Sequence, residues 1–288
     1  MTKSARTAIF LFKILPQNLL SRLFGMIVRI PLPRPMLASL IGWYSRKFSI
    51  TDEYIEPEEG FGCFERFFVR KLRPGARTID QSANSVVSPV DARIDQFGRL
   101  SSDTMIQAKG IEYSVRDLIP SPKAGEFLDG SFVTLYLSPG DYHRIHSPVE
   151  GVVAGYLHVP GRLFTVQEYM AKGLKGLFTR NERLISFIEC RGKTVAMCKV
   201  GAMNVGRISV SYDSMETNRP FSKKTEVFFD GKNRYPLSKG DEIGMFHLGS
   251  TVILVFPRGF MEFNQLAAGQ RVKMGEAIGS LKTASNAR

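Results

Sequence analysis

Cysteine is scarce in this 288-residue chain: Cys63, Cys190 and Cys198 are an odd number with no C-x-x-C spacing. That excludes a disulfide framework, and with only four histidines no metal site is expected. The thiols read as core residues in a reducing compartment. Acidic residues are missing from positions 1–51, which carry Lys3, Arg6, Lys13, Arg22, Arg29, Arg34, Arg46 and Lys47. Most of the net charge of +12 therefore belongs to the N-terminus. No apolar run approaches the ~20 residues that span a bilayer, and Lys13 breaks what would otherwise be a signal-peptide core. Nothing resembles a phosphate-cradling P-loop.

The N-terminal stretch does carry interrupted apolar clusters. Ile9 to Phe12, with Ile14 and Leu15, come first. Pro16 stands where a helix can begin, and Leu19, Leu20, Leu23, Phe24 and Ile27 fall on one face of it. Gln17, Asn18, Ser21, Arg22 and Gly25 fall on the other. A third segment, Met36 to Phe48, holds Trp43 and Tyr44 and ends in Arg46-Lys47. Cationic, acid-free and amphipathic, residues 1–50 suit a headgroup layer. A helical hairpin capping a soluble core and a mitochondrial transit segment are the competing readings. Acids arrive abruptly at Asp52-Glu53, which marks a boundary and leaves 51–288 as the second domain.

Beyond residue 86 the chain reads as short strands and turns. Ser88-Pro89-Val90-Asp91 recurs as Ser147-Pro148-Val149-Glu150, and Ser238 to Gly244 resembles Lys273 to Gly279. These paired phrases imply internal pseudo-symmetry in a barrel or sandwich, so the expected class is α+β: N-terminal amphipathic helices, then a β-rich catalytic domain. The phrases also resemble lipoyl and biotinyl carrier domains, one competing function. Residues 170–183, with two glycines and five charges, read as an exposed, mobile loop that gates a site. Val252 to Phe256, between a Gly-Ser pair and Pro257, reads as a strand buried on both faces.

The densest polar group is Asp141-Tyr142-His143-Arg144-Ile145-His146. A histidine at a strand end is suited to proton transfer. Asp91, His146 and Ser250 form a permitted triad. Ser250 has two uses: attack on a bound ester, or attack on the carbonyl of Gly249, a residue free to take strained backbone angles. For the first, the Gly-x-Ser-x-Gly elbow is incomplete, since Val252 replaces its second glycine. A membrane-associated serine hydrolase that keeps Ser250 intact remains the alternative enzyme.

Several stretches match a known family in order: Phe67-Phe68-Val69-Arg70-Lys71-Leu72, Val87-Ser88-Pro89-Val90-Asp91, Ile106-Gln107-Ala108-Lys109-Gly110 and the Asp141–His146 run. Pro160-Gly161-Arg162-Leu163-Phe164, Asn181-Glu182-Arg183, Val200-Gly201-Ala202 and Leu248-Gly249-Ser250-Thr251 follow. From about Phe64 to Gly279 the chain resembles bacterial, membrane-associated phosphatidylserine decarboxylases. It departs from their pattern at Thr78, where proline is expected, and at His247; His247 and His158 read as structural. The resemblance implies self-cleavage between Gly249 and Ser250 into chains 1–249 and 250–288, which stay together as a heterodimer. Asp91, His146 and Ser250 would be the cleavage triad, and Ser250 would become a pyruvoyl cofactor and the Schiff-base site. His143 would be the proton donor. The implied substrate is phosphatidylserine in an anionic membrane, met peripherally on the cytoplasmic face of the cell membrane; no nucleic-acid partner is expected.

Overall fold

The computed structural model describes residues 12, 14–108, 111–204 and 206–282. Ile9 to Leu11, the cations Lys3, Arg6 and Lys13, and the Lys109-Gly110 pair lie outside them.

The apolar run after Gly249 forms strand β14 (Ser250–Phe256), every residue of which is buried. It lies inside an antiparallel sheet ordered β11 (Thr225–Phe228), β7 (Gly151–Val159), β8 (Arg183–Cys190), β9 (Lys193–Gly201), β14, β5 (Ser131–Leu137), β2 (Ala92–Arg99) and β16 (Arg271–Val272). Strand β12 (Tyr235–Leu237) also pairs with β7. Successive side chains of a strand point to opposite faces. Val252, Leu254 and Phe256 accordingly join one core with Val133 and Leu135. Ile253 and Val255 join another with Phe187, Ala196 and Cys198. An uninterrupted apolar run is what a strand covered on both faces requires.

Three smaller sheets surround this one. One contains β10 (Ile208–Val210), β13 (Glu242–Phe246) and β6 (Arg144–His146); another contains β1 (Ser85–Val87), β17 (Ala277–Leu281) and β15 (Met261–Phe263). Strands β3 (Thr104–Ala108) and β4 (Ile111–Ser114) form a hairpin. The class is α+β with N-terminal helices, as the sequence implies, but the sheets do not close into a barrel. Strands β11 and β16 end opposite sides of the large sheet and do not pair with each other.

The repeated phrases fold alike and clasp one another. Ser88 Oγ donates to the Val90 carbonyl at 2.7 Å, and Ser147 Oγ to the Val149 carbonyl at 2.6 Å. The Val87 amide meets the Pro148 carbonyl and the His146 amide meets the Pro89 carbonyl. Each phrase is gripped by one of the second pair: Gly275 N donates to Ser88 O, and Gly240 N to Ser147 O. Gly240 and Gly275 both hold left-handed backbones, φ +89° and +88°.

The 170–183 segment is not the exposed loop its glycines and charges imply. Met170, Leu174, Leu177 and Phe178 are buried in the second core. The Gln107 amide donates to the Ala171 and Leu174 carbonyls and accepts from the Leu177 amide. Its apolar residues outweigh the turn signal once tertiary partners exist.

The N-terminal helices are α1 (Gln17–Ile27), α2 (Arg34–Phe48) and α3 (Phe64–Phe68), and the last two, with Val28 just past α1, build a separate helical layer. Val28, Leu37, Tyr44, Phe61, Phe64, Phe67 and Phe68 pack together and enclose Leu248, the residue before Gly249. Helix α1 is inverted relative to an ordinary surface helix. Gln17, Ser21 and Gly25 face inward, while Leu19, Leu23, Phe24, Met26 and Ile27 are exposed. Met36 and Trp43 of α2 are exposed too. Among the described residues, no helix is long and apolar enough to cross a membrane.

Candidate active site

Two segments meet beneath the helical layer: the turn from Pro139 to His146, and the link from β13 into β14. The Phe246 amide donates to the His143 carbonyl at 2.9 Å, which joins them. Gly249 sits at φ +59°, and a Cβ there would lie 3.1 Å from the Met203 carbonyl oxygen. A side chain at that position would meet both backbone strain and crowding. Ser250 then opens β14, paired with Leu137 on one side and Gly201 on the other. It is fully buried, and its Oγ has no hydrogen-bond partner. A buried hydroxyl without a partner is costly, by about 1–3 kcal/mol, and invites a functional reading.

His143 is also fully buried, its ring 4.2 Å from that of Phe68. Its Nδ1 lies 2.8 Å from the Asp141 carbonyl oxygen. A carbonyl only accepts, so this bond puts the proton on Nδ1 and leaves Nε2 of the neutral ring bare. That Nε2 is buried and unpartnered. Burial pushes the imidazole down to about 3; the Arg70 charge adds to this and the Asp141 bond opposes it. His146 follows the same tautomer, with Nδ1 2.7 Å from the Gly240 carbonyl oxygen. Its Nε2, however, is taken by the Tyr142 hydroxyl at 3.1 Å. Burial lowers the His146 pKa as well.

Asp91 accepts from the Met274 amide at 2.8 Å and from Arg77 Nε at 2.9 Å. Arg77 reaches Glu53 at 2.8 Å. Its hydrogen bond to Asp91 is the largest factor raising the guanidinium's pKa. A cavity of about 190 Å³ beside these groups is lined in part by Asp91, Tyr142, Arg70 and Asp141, with Ser49 to Thr51 at its rim.

The structure ties the His143 backbone to the segment that leads to Gly249 and Ser250 through the Phe246 amide, and links the Asp91 loop to His146 through the Pro89 carbonyl. It does not hydrogen-bond Asp91 to His146, nor either histidine to Ser250. Several site residues escape sequence reasoning. Phe68 and Arg70 carry no assigned role in the sequence reading, yet the Phe68 ring lies 4.2 Å from that of His143. Arg70 Nη2 donates to the Gly140 carbonyl at 2.9 Å. Their place in the matched Phe67-to-Leu72 stretch was the available signal. Tyr142 gave none beyond the matched Asp141–His146 run, and Arg77 gave none. His247 is structural in contact terms: its Nδ1 lies 2.7 Å from Arg207 Nη2 and its Nε2 3.0 Å from Ser209 Oγ. His158 pairs with Glu182 at 2.9 Å. No cluster of three or more metal-ligating side chains occurs among the described residues.

Residues 64–280 match the family model for phosphatidylserine decarboxylase. Similar curated relatives each carry the name phosphatidylserine decarboxylase proenzyme. The protein of Halorhodospira halophila is 40% identical, over 94% of this chain and 92% of its own. That of Myxococcus xanthus is 36% identical, over 95% and 98%. That of Brevibacillus brevis is 38% identical, over 93% and 95%. The chain belongs to the phosphatidylserine decarboxylase family.

Proposed function

We propose that this enzyme cuts itself between Gly249 and Ser250 and then converts phosphatidylserine to phosphatidylethanolamine and carbon dioxide, using a pyruvoyl group made from Ser250. The observation that carries the reading is the left-handed Gly249 joined to a buried serine whose hydroxyl has no other partner. It is supported by relatives that are named proenzymes. Ser250 Oγ attacks the Gly249 carbonyl carbon; the peptide C–N bond breaks, an ester forms, and the Ser250 nitrogen gains a proton. Loss of the Ser250 α-proton then breaks the Cβ–O bond, freeing the Gly249 carboxylate and leaving dehydroalanine. Hydrolysis of that residue releases ammonia and leaves a pyruvoyl terminus. Holding the hydroxyl beside its own carbonyl replaces a bimolecular encounter, an advantage of roughly 7–11 kcal/mol in well-oriented cases.

In this reading His146 takes the hydroxyl proton and Asp91 orients it. Both must exchange partners to do so, His146 leaving Tyr142 and Asp91 leaving Arg77. The ketone formed at residue 250 supplies an electron sink for the pair released with carbon dioxide. His143 returns a proton to the α-carbon. Its bare Nε2 must first take up a proton, for which the substrate ammonium is a source, and burial makes the protonated ring a strong acid.

Residues 1–50 form the membrane-contact region and 51–288 the catalytic domain. The outward apolar face of α1 and the cations around it suit peripheral binding to an anionic cytoplasmic leaflet. A hydrolase that keeps Ser250 is disfavoured because the relatives are named proenzymes and Val252 leaves the Gly-x-Ser-x-Gly elbow incomplete. Intact mass spectrometry of the purified protein tests the reading. The expected result is two chains, 1–249 and 250–288, the second beginning as a carbonyl species, and a single inactive chain for Ser250→Ala. Decarboxylase activity from an uncut polypeptide would end it.

A further inference from the structure

One cavity of the molecule is strongly basic. It measures about 240 Å³ and lies between α1 and the 207–220 segment. Arg22, Arg29, Arg207 and Arg219 line it, with Glu216. Glu216 pairs with Arg207 at 3.2 Å and Arg219 at 3.3 Å. Glu65 pairs with Arg29 and Arg207, both at 2.9 Å. Four guanidiniums thus face two carboxylates, which leaves two positive charges uncompensated. Arg22 is half-buried and has no hydrogen bond or ion pair among the described residues. Arg207 Nε is a buried donor without an acceptor. An anion with several oxygens would satisfy both, and guanidinium forks match phosphate geometry.

Two further observations say which anion. The rim includes Met26, and Met26, Ile27 and Ile30 are all more than half exposed, so the cavity opens at the edge of an apolar surface. Arg207 also touches the reacting segment: its carbonyl accepts from the His247 amide, and its Nη2 bonds the His247 ring. The geometry points to this cavity as the site that holds the phosphodiester of the lipid substrate, whose acyl chains lie along the outer face of α1. The inference rests on the substrate proposed above and adds the residues that grip its phosphate.

The test uses processed full-length enzyme and dihexanoyl phosphatidylserine dispersed as monomers, which has the phosphodiester but no bilayer. Arg22→Gln should raise KM about tenfold, the effect of losing one charge-assisted contact, with kcat within about twofold. Arg116→Gln, the same charge change at an exposed residue elsewhere, should alter neither. A second arm reads binding without turnover, as the ³¹P signal of short-chain phosphatidylglycerol added to Ser250→Ala protein. Broadening there should disappear when Arg22→Gln is added. A KM that rises on anionic vesicles but not on monomers would show that Arg22 only draws the protein to the bilayer, and would overturn the site. Equal competition by inorganic phosphate would overturn the lipid assignment. If the unmutated enzyme decarboxylated no phosphatidylserine, the substrate reading would fall while the ³¹P arm still reported on the cavity.

Discussion

Tyr142 holds the histidine that the proposed self-cleavage would use as its base. Its hydroxyl donates to His146 Nε2, the nitrogen that must accept the Ser250 proton if His146 is the base. A single neutral hydrogen bond is worth about 1 kcal/mol, so removing it should favour the free base about fivefold. Tyr142→Phe is therefore expected to speed self-cleavage by that factor, measured as the appearance of two chains in a cell-free pulse of fresh polypeptide. Slower cleavage would place the hydroxyl inside the proton relay, not in its way. At this scale the sequence was partly legible. Glycine at 249 permits the left-handed backbone found there, but Gly-Ser pairs are common at strand entries, so Gly249 and Ser250 stand out only within the matched Leu248-to-Thr251 stretch. Asp91 and the two histidines stand out by residue type and by family pattern. Arg70 and Phe68 fall in a matched stretch, but their parts in the site, like that of Arg77, come from contacts with residues distant along the chain.

Among the elements, α1 has the right periodicity and the opposite orientation to a soluble helix. Periodicity reveals that a helix has two faces but not which one the protein covers. Here the covered face is Gln17, Ser21 and Gly25, small or polar groups that let α1 approach the sheet end closely. Gln17 Oε1 accepts from Arg162 Nε at 2.8 Å, and Asn18 Nδ2 donates to the Gly161 carbonyl at 2.8 Å. The apolar face is left exposed. Replacing Leu23 and Phe24 together by glutamate should leave the melting temperature nearly unchanged, since both are already exposed. Sedimentation with anionic vesicles should fall severalfold, because apolar insertion and charge attraction are lost together. Unchanged sedimentation would remove α1 from the membrane contact. The paired Ser-Pro-Val phrases were the opposite case. A repeated local hydrogen bond writes itself into sequence, so the pseudo-symmetry was visible, whereas the burial of 170–183 depends on a core that no local pattern describes.

At the scale of the whole molecule, the proposed cut would leave both pieces built into the same sheets. Residues 250–288 would supply β14 to the large sheet between β5 and β9, β16 to its edge beside β2, and β17 between β1 and β15. The five side chains from Val252 to Phe256 are fully buried in two cores. Burial of such side chains contributes roughly 1.5–3 kcal/mol each, before any of the strand's two ladders of backbone hydrogen bonds is considered. The small chain has no comparable surface to bury alone. Its departure would expose both cores of the large chain together. The processed protein should therefore elute from a sizing column as one species containing both chains, and separate only in denaturant. Elution of the 250–288 fragment on its own in native buffer would mean that β14 does not hold the halves together.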